Sequence, residues 1–144
     1  MDLALKGKHI LVAGASRGLG AAIVSCLLDE GARVTALGRN LDSLKSAHRA
    51  WRQNHPLAQV ELLPLDLSDS FSVDPLREFV SSEGTLDGVV AVAGSGRPHA
   101  GSLVENFESA VAQNLTPALV VMEATRTLLS AGASGSVVLI SSIA

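Results

Sequence analysis

Short unbroken apolar runs alternate along this chain with longer stretches in which apolar residues return every three or four positions. His9-Ile10-Leu11-Val12-Ala13 is such a run, stopped by Gly14, and it suits a strand covered on both faces of a parallel sheet. Beyond the glycines, Leu19, Ala22, Ile23, Cys26 and Leu27 recur at helical spacing, which predicts a helix with these residues inward. Gly31 offers a left-handed C′ position, and Arg33-Val34-Thr35-Ala36-Leu37 reads as a second strand. A helix follows from Leu41 to Gln53 with Leu41, Leu44, Ala47 and Trp51 on one side, then a strand from Gln59 to Leu63. Asp74 as N-cap and Pro75 in the first turn open a short helix with Leu76, Phe79 and Val80 inward. Leu86 to Ala93 is the fourth strand. A Gly/Ser/Pro loop, Gly94 to Gly101, leads to a long helix on which Val104, Phe107, Val111, Leu115, Ala118 and Met122 share a face, and Gly135 releases a last strand over Ser136 to Ser141. Alternation without a hairpin signal predicts an α/β fold: a doubly wound, Rossmann-like parallel sheet with five strands in one dinucleotide-binding domain over residues 1–144.

Composition narrows the function classes. With 144 residues, 47% apolar and 17% charged, the chain is that of a soluble globular domain, which excludes disordered and fibrous classes. The formal charge is −3, and residues 1–72 hold eight Lys/Arg against seven Asp/Glu while 73–144 hold three against seven. No basic stripe for nucleic acid results. No apolar stretch reaches the roughly 18 residues of a membrane span, and Met1 to Lys8 lacks a signal-peptide pattern, so a cytoplasmic protein without a membrane partner is expected. Cys26 reads as a small core residue, and no metal site is expected. The chain has no Tyr, and its lysines are Lys6, Lys8 and Lys45.

The first strand-to-helix turn, Gly14-Ala15-Ser16-Arg17-Gly18-Leu19-Gly20, carries the candidate chemistry. One glycine permits the tight turn and another lets backbone approach a pyrophosphate, while a helix N-terminus offers free N–H groups to that anion. An NAD site places an acid some 20 residues after the glycines, where this chain has Leu37-Gly38-Arg39-Asn40. Arg39, with Arg17 in the glycine loop, suits a 2′-phosphate through charge-assisted bidentate contacts, so NADP(H) is the expected cofactor; solvated surface arginines are the plainer alternative. Pro117 lacks an N–H and cannot bond the carbonyl of Gln113, which predicts a helix distortion within a turn of Asn114.

Taken in order, the glycine motif, Gly38-Arg39, Asp66-Leu67, Ala93-Gly94, Asn114 and Ser141-Ser142 resemble the short-chain dehydrogenase/reductase family along the whole chain. The resemblance implies that Asp66 approaches the adenine amino group, although a loop cap would explain it too. It implies that the Ala93-Gly94 loop passes the cofactor and that Asn114 supports a proton-relay water, where a solvent-facing Asn is the alternative. It makes Ser142 the catalytic serine, holding a substrate carbonyl, with Ser141 pointing the other way along the strand. Ala91-Val92-Ala93-Gly94 departs from the family's Asn-Asn-Ala-Gly, so two polar side chains are missing. A serine hydrolase is disfavoured, since no Gly-x-Ser-x-Gly surrounds Ser142 and His9, His48, His55 and His99 read as surface or structural.

Family members reduce a carbonyl or oxidise an alcohol by hydride transfer, with a Tyr as acid/base and a Lys four residues later lowering its pKa. Both are expected beyond Ala144, together with the last two strands of the sheet, so the 144 residues alone are expected to be inactive. The resemblance implies a small-molecule carbonyl or alcohol substrate, a 3-oxoacyl or similar ketone among the options, and a homo-oligomer associated through the long helix. The competing expectation is a non-catalytic nucleotide-binding or partner-binding protein.

Overall fold

The computed structural model describes residues 3–95, 101–132 and 134–141. Five parallel strands form one sheet in the order β3-β2-β1-β4-β5: β1 His9–Ala13, β2 Arg33–Gly38, β3 Val60–Pro64, β4 Gly88–Ala91 and β5 Ser136–Leu139. Every residue of β1 and β4 is buried, as expected of apolar runs covered by helices on both faces. Helices α1 Gly18–Asp29, α2 Leu41–Asn54, α3 Val73–Ser82, α4 Leu103–Ala110 and α5 Thr116–Ala131 connect them. Chain order reverses between β1 and β4, and such a switch opens a crevice at the carboxyl ends of the strands.

Alternation along β1 feeds two cores. Leu11 and Ala13 pack with Leu37, Leu76, Val80, Val120, Val121 and Ala124 beneath α3 and α5. Ile10 and Val12 pack with Val24, Leu28, Val34, Leu44 and Trp51 beneath α1 and α2. Trp51 seals the second core, and its Nε1 donates to the Ala21 carbonyl at 3.1 Å, tying α2 to α1. Gly31 adopts φ +76° and ends α1 as the sequence predicts.

Three local expectations are corrected. α1 buries Gly20, Val24 and Leu28, one position round from the predicted face, and Cys26 is exposed. Gly20 sets that rotation, because a Cβ on it would lie 2.0 Å from the Gly14 carbonyl oxygen; this side of the helix sits directly on the chain leaving β1. A 3-10 turn, Ser70–Ser72, precedes α3, so Asp69 caps the turn through the Phe71 N–H and Asp74 lies inside the first helical turn. The long helix is broken by a π turn, Val111–Leu115. The inward residues of α5 are Pro117, Val120, Val121, Ala124, Thr125 and Leu129, whereas Val104, Phe107, Leu115 and Met122 are exposed. The wider turn breaks the single helical period through which the predicted stripe ran.

Candidate functional site

Gly14 leaves β1 with φ +93°, and its N–H and that of Ala15 both donate to the Leu37 carbonyl at 2.9 Å. A Cβ at Gly14 would lie 2.7 Å from the Ala93 nitrogen, so the turn after β1 and the chain after β4 touch backbone to backbone. Gly18 opens α1 with φ +55° and has open space where a Cβ would stand. No side chain caps α1, which leaves its first-turn N–H groups available to an anion.

A groove of about 400 Å³ lies over this turn at the carboxyl ends of the strands. Its walls include all eleven positions singled out for cofactor contact: Gly14, Ser16, Arg17, Gly18, Leu19, Gly20, Arg39, Asp66, Leu67, Ala93 and Gly94. Sequence reasoning gave no place on the groove to Asn40, Ser43, Leu65, Ser68, Ser95, Gln113 and Pro117, which also line it, as does Val92, the departure from the family pattern. Asn40 was legible, since an Asn just before a helical run is an N-cap signal; its Oδ1 accepts from the Ser43 N–H at 2.8 Å. Asn114 is exposed and does not line the groove, though its neighbour Gln113 does, and Ser142 lies outside the described residues.

Arg17 and Arg39 are exposed on the groove, and among the described residues Asp66 is its one lining carboxylate. The Ser68 N–H donates to Asp66 Oδ1 at 3.0 Å, and this bond, helped by the Ser68 hydroxyl and the Arg39 cation, holds the carboxyl below its usual range. The Asx turn shows that the loop-cap reading of Asp66 and its place on the groove are compatible.

The π turn sits where the missing N–H of Pro117 predicts a distortion, and Asn114 uses the opening. Its Oδ1 accepts from the Ser95 N–H at 2.9 Å, and its Nδ2 donates to the Ser95 carbonyl at 3.1 Å and the Ala110 carbonyl at 3.0 Å. The side chain thus grips both ends of one residue in the loop after β4 while satisfying a carbonyl of its own helix. Gly94 fits beside it, since a Cβ there would come within 2.7 Å of Asn114 Oδ1. Val92 packs against the second core and donates its N–H to the Ala13 carbonyl at 2.9 Å, so backbone pairing persists where the family's polar side chain is missing.

Residues 8–144 match the short chain dehydrogenase family, and the chain belongs to it. A tropinone reductase homolog of Arabidopsis thaliana is 35% identical over 144 residues, covering 97% of this chain and 53% of the relative. L-sorbose reductase from Gluconobacter frateurii, solved with NADPH and L-sorbose, superposes with a TM-score of 0.88 at 26% identity, covering 99% of this chain and 55% of that one. A metagenomic short-chain oxidoreductase solved with NADP gives 0.85 at 30% identity, covering 98% and 64%. The chain spans about half the length of the curated relatives it matches. Proteins of this family are oxidoreductases that use nicotinamide cofactors. Among the described residues no helix is long and apolar enough to cross a membrane, and no group of His, Cys, Asp and Glu is arranged to hold a metal ion.

Proposed function

We propose that these residues form the cofactor-binding part of an NADP(H)-dependent carbonyl reductase, acting in the cytoplasm as a homo-oligomer on a small ketone or the matching alcohol. The observation that carries the reading is the pair Arg17 and Arg39 on one groove with no carboxylate at the end of β2. Close backbone packing at Gly14 and Gly20 and the open space over Gly18 support a dinucleotide in the groove. Arg17 and Arg39 would hold the 2′-phosphate, Asp66 would accept from the adenine amino group, and the α1 N-terminus would face the pyrophosphate. A nicotinamide held there would supply or accept the hydride. Asn114 orders the loop at Gly94 and Ser95, and Ser142 would donate to the substrate carbonyl oxygen as negative charge develops there. The acid/base Tyr and its Lys would be contributed from outside these 144 residues. Two relatives named as a tropinone reductase homolog and L-sorbose reductase support a ketone over other carbonyl classes.

Titration calorimetry of the full-length protein tests the cofactor. NADP⁺ is expected to bind more tightly than NAD⁺, and Arg39→Ala to weaken NADP⁺ about 10- to 100-fold, the worth of a charge-assisted contact of roughly 1.5–3 kcal/mol, while NAD⁺ is unchanged. Equal or tighter NAD⁺ binding would overturn it. Tight binding without ketone turnover would favour the non-catalytic nucleotide-binding alternative.

A further inference from the structure

The end of the sheet opposite the groove holds a polar cluster that dinucleotide binding does not use. His9 opens β1 and is only 2% exposed. Its Nε2 lies 2.8 Å from Thr35 Oγ1 on β2. Its Nδ1 lies 2.5 Å from the Thr85 carbonyl oxygen and 2.8 Å from Arg33 Nη2. A carbonyl only accepts and a guanidinium only donates, whereas a ring nitrogen has one in-plane site that does one or the other. Nδ1 therefore serves one of these partners at a time, and its proton decides which. The Thr35 hydroxyl both donates and accepts, so an Nε2 proton is satisfied in either state.

Every neighbouring charge has a second anchorage. Arg33 reaches Glu83, the C-cap of α3, through Nη1 to Oε2 at 3.3 Å and Nη2 to the carbonyl at 3.0 Å. Asp87, just before β4, accepts from Lys8 Nζ and from the His9 N–H, each at 2.9 Å. On α5, Glu123 pairs with Arg126 and with Arg77 of α3 at the surface. Burial lowers the His9 pKa and the Arg33 cation works the same way, against the Thr85 carbonyl, Glu83 and Asp87.

We propose that His9 is an acid-sensitive latch across β1, β2 and the segment entering β4: unprotonated Nδ1 accepts from Arg33, and on taking a proton it releases Arg33 to Glu83 and donates to Thr85. The proton comes from solvent and no covalent bond changes. The unfolded ring binds a proton at the ordinary value near 6.5 and the folded ring only below it, so the latch's stability is complete above that pH and declines as pH falls through the folded midpoint. Ring ¹⁵N NMR of the full-length protein between about pH 5 and 8 tests this. At the basic end Nδ1 should be bare and Nε2 protonated, the midpoint should lie below 6.5, and the Arg33 guanidinium signals should move with it. Arg33→Met should raise the midpoint and put the proton of the neutral ring on Nδ1. A protonated Nδ1 at high pH, a midpoint at or above 6.5, or Arg33 signals that ignore the titration would overturn the latch, and the wild-type titration decides by itself where Arg33→Met does not fold.

Discussion

At the residue scale the groove depends on atoms that are missing. Gly14→Ala puts a Cβ 2.7 Å from a backbone nitrogen that cannot rotate away, at φ +93°. The conformation costs about 1–3 kcal/mol and the overlap adds to it. Gly18→Ala meets only the conformational cost, about 1–2 kcal/mol, because nothing lies within 4 Å. Urea denaturation should therefore rank Gly14→Ala clearly below Gly18→Ala in stability. The glycine spacing was legible in the sequence. That Gly14 abuts Ala93 was not, because a contact between two distant loops leaves no local periodicity.

The same scale governs acid stability. The His9 N–H and Lys8 hold the Asp87 carboxyl below its usual range, so it binds protons less readily folded than unfolded. Its contribution is present above the ordinary value of 3.8 and is lost as pH falls through the lower folded value. Asp87→Asn removes the ion pair and weakens the bond to the His9 N–H, for an expected loss of about 1 kcal/mol at neutral pH. Below that window the variant and wild-type melting temperatures should converge, and parallel curves at all pH values would refute the assignment.

At the element scale, β1 was legible residue for residue because Lys8 and Gly14 bracket its apolar run, and α2 was legible in its buried Leu44 and Trp51, although Leu41, expected on the same side, is exposed at the helix start. The faces of α1 and α5 were not. In α1 a glycine is the closest contact, and a residue without a side chain carries no weight in a hydrophobic pattern. In α5 the π turn shifts the phase, and Pro117 announces the break without giving its size. Asn114 turns that break into a clamp on Ser95. Asn114→Ala deletes three exposed hydrogen bonds and is expected to cost about 1–3 kcal/mol while the Ser95 amide exchanges faster. Asn114→Asp keeps the acceptor for the Ser95 N–H but loses the donor, so it should fall between. Hydrogen exchange at Ser95 equal to wild type in both variants would show that the loop is held by something else.

At the scale of the molecule, alternation foretold a parallel sheet, yet the order β3-β2-β1-β4-β5 came only from the pairing, since strand order rests on which apolar runs meet. The outward stripe now has a meaning that a core residue would not have. Val104, Phe107, Leu115 and Leu119 are 66%, 69%, 51% and 54% exposed along α4, the π turn and α5. Single exposed apolar residues are ordinary on a soluble protein, whereas a run of them along one helical rod is where the proposed homo-oligomer would have its contact. Two copies meeting on this rod would bury the stripe. Phe107→Asp with Leu119→Lys places charges in that contact without touching the groove. The full-length double variant is expected to sediment as a smaller species than wild type and to keep NADP⁺ affinity within about twofold, less than 0.5 kcal/mol. An unchanged sedimentation coefficient would assign association to another face and leave this stripe to a different segment or partner.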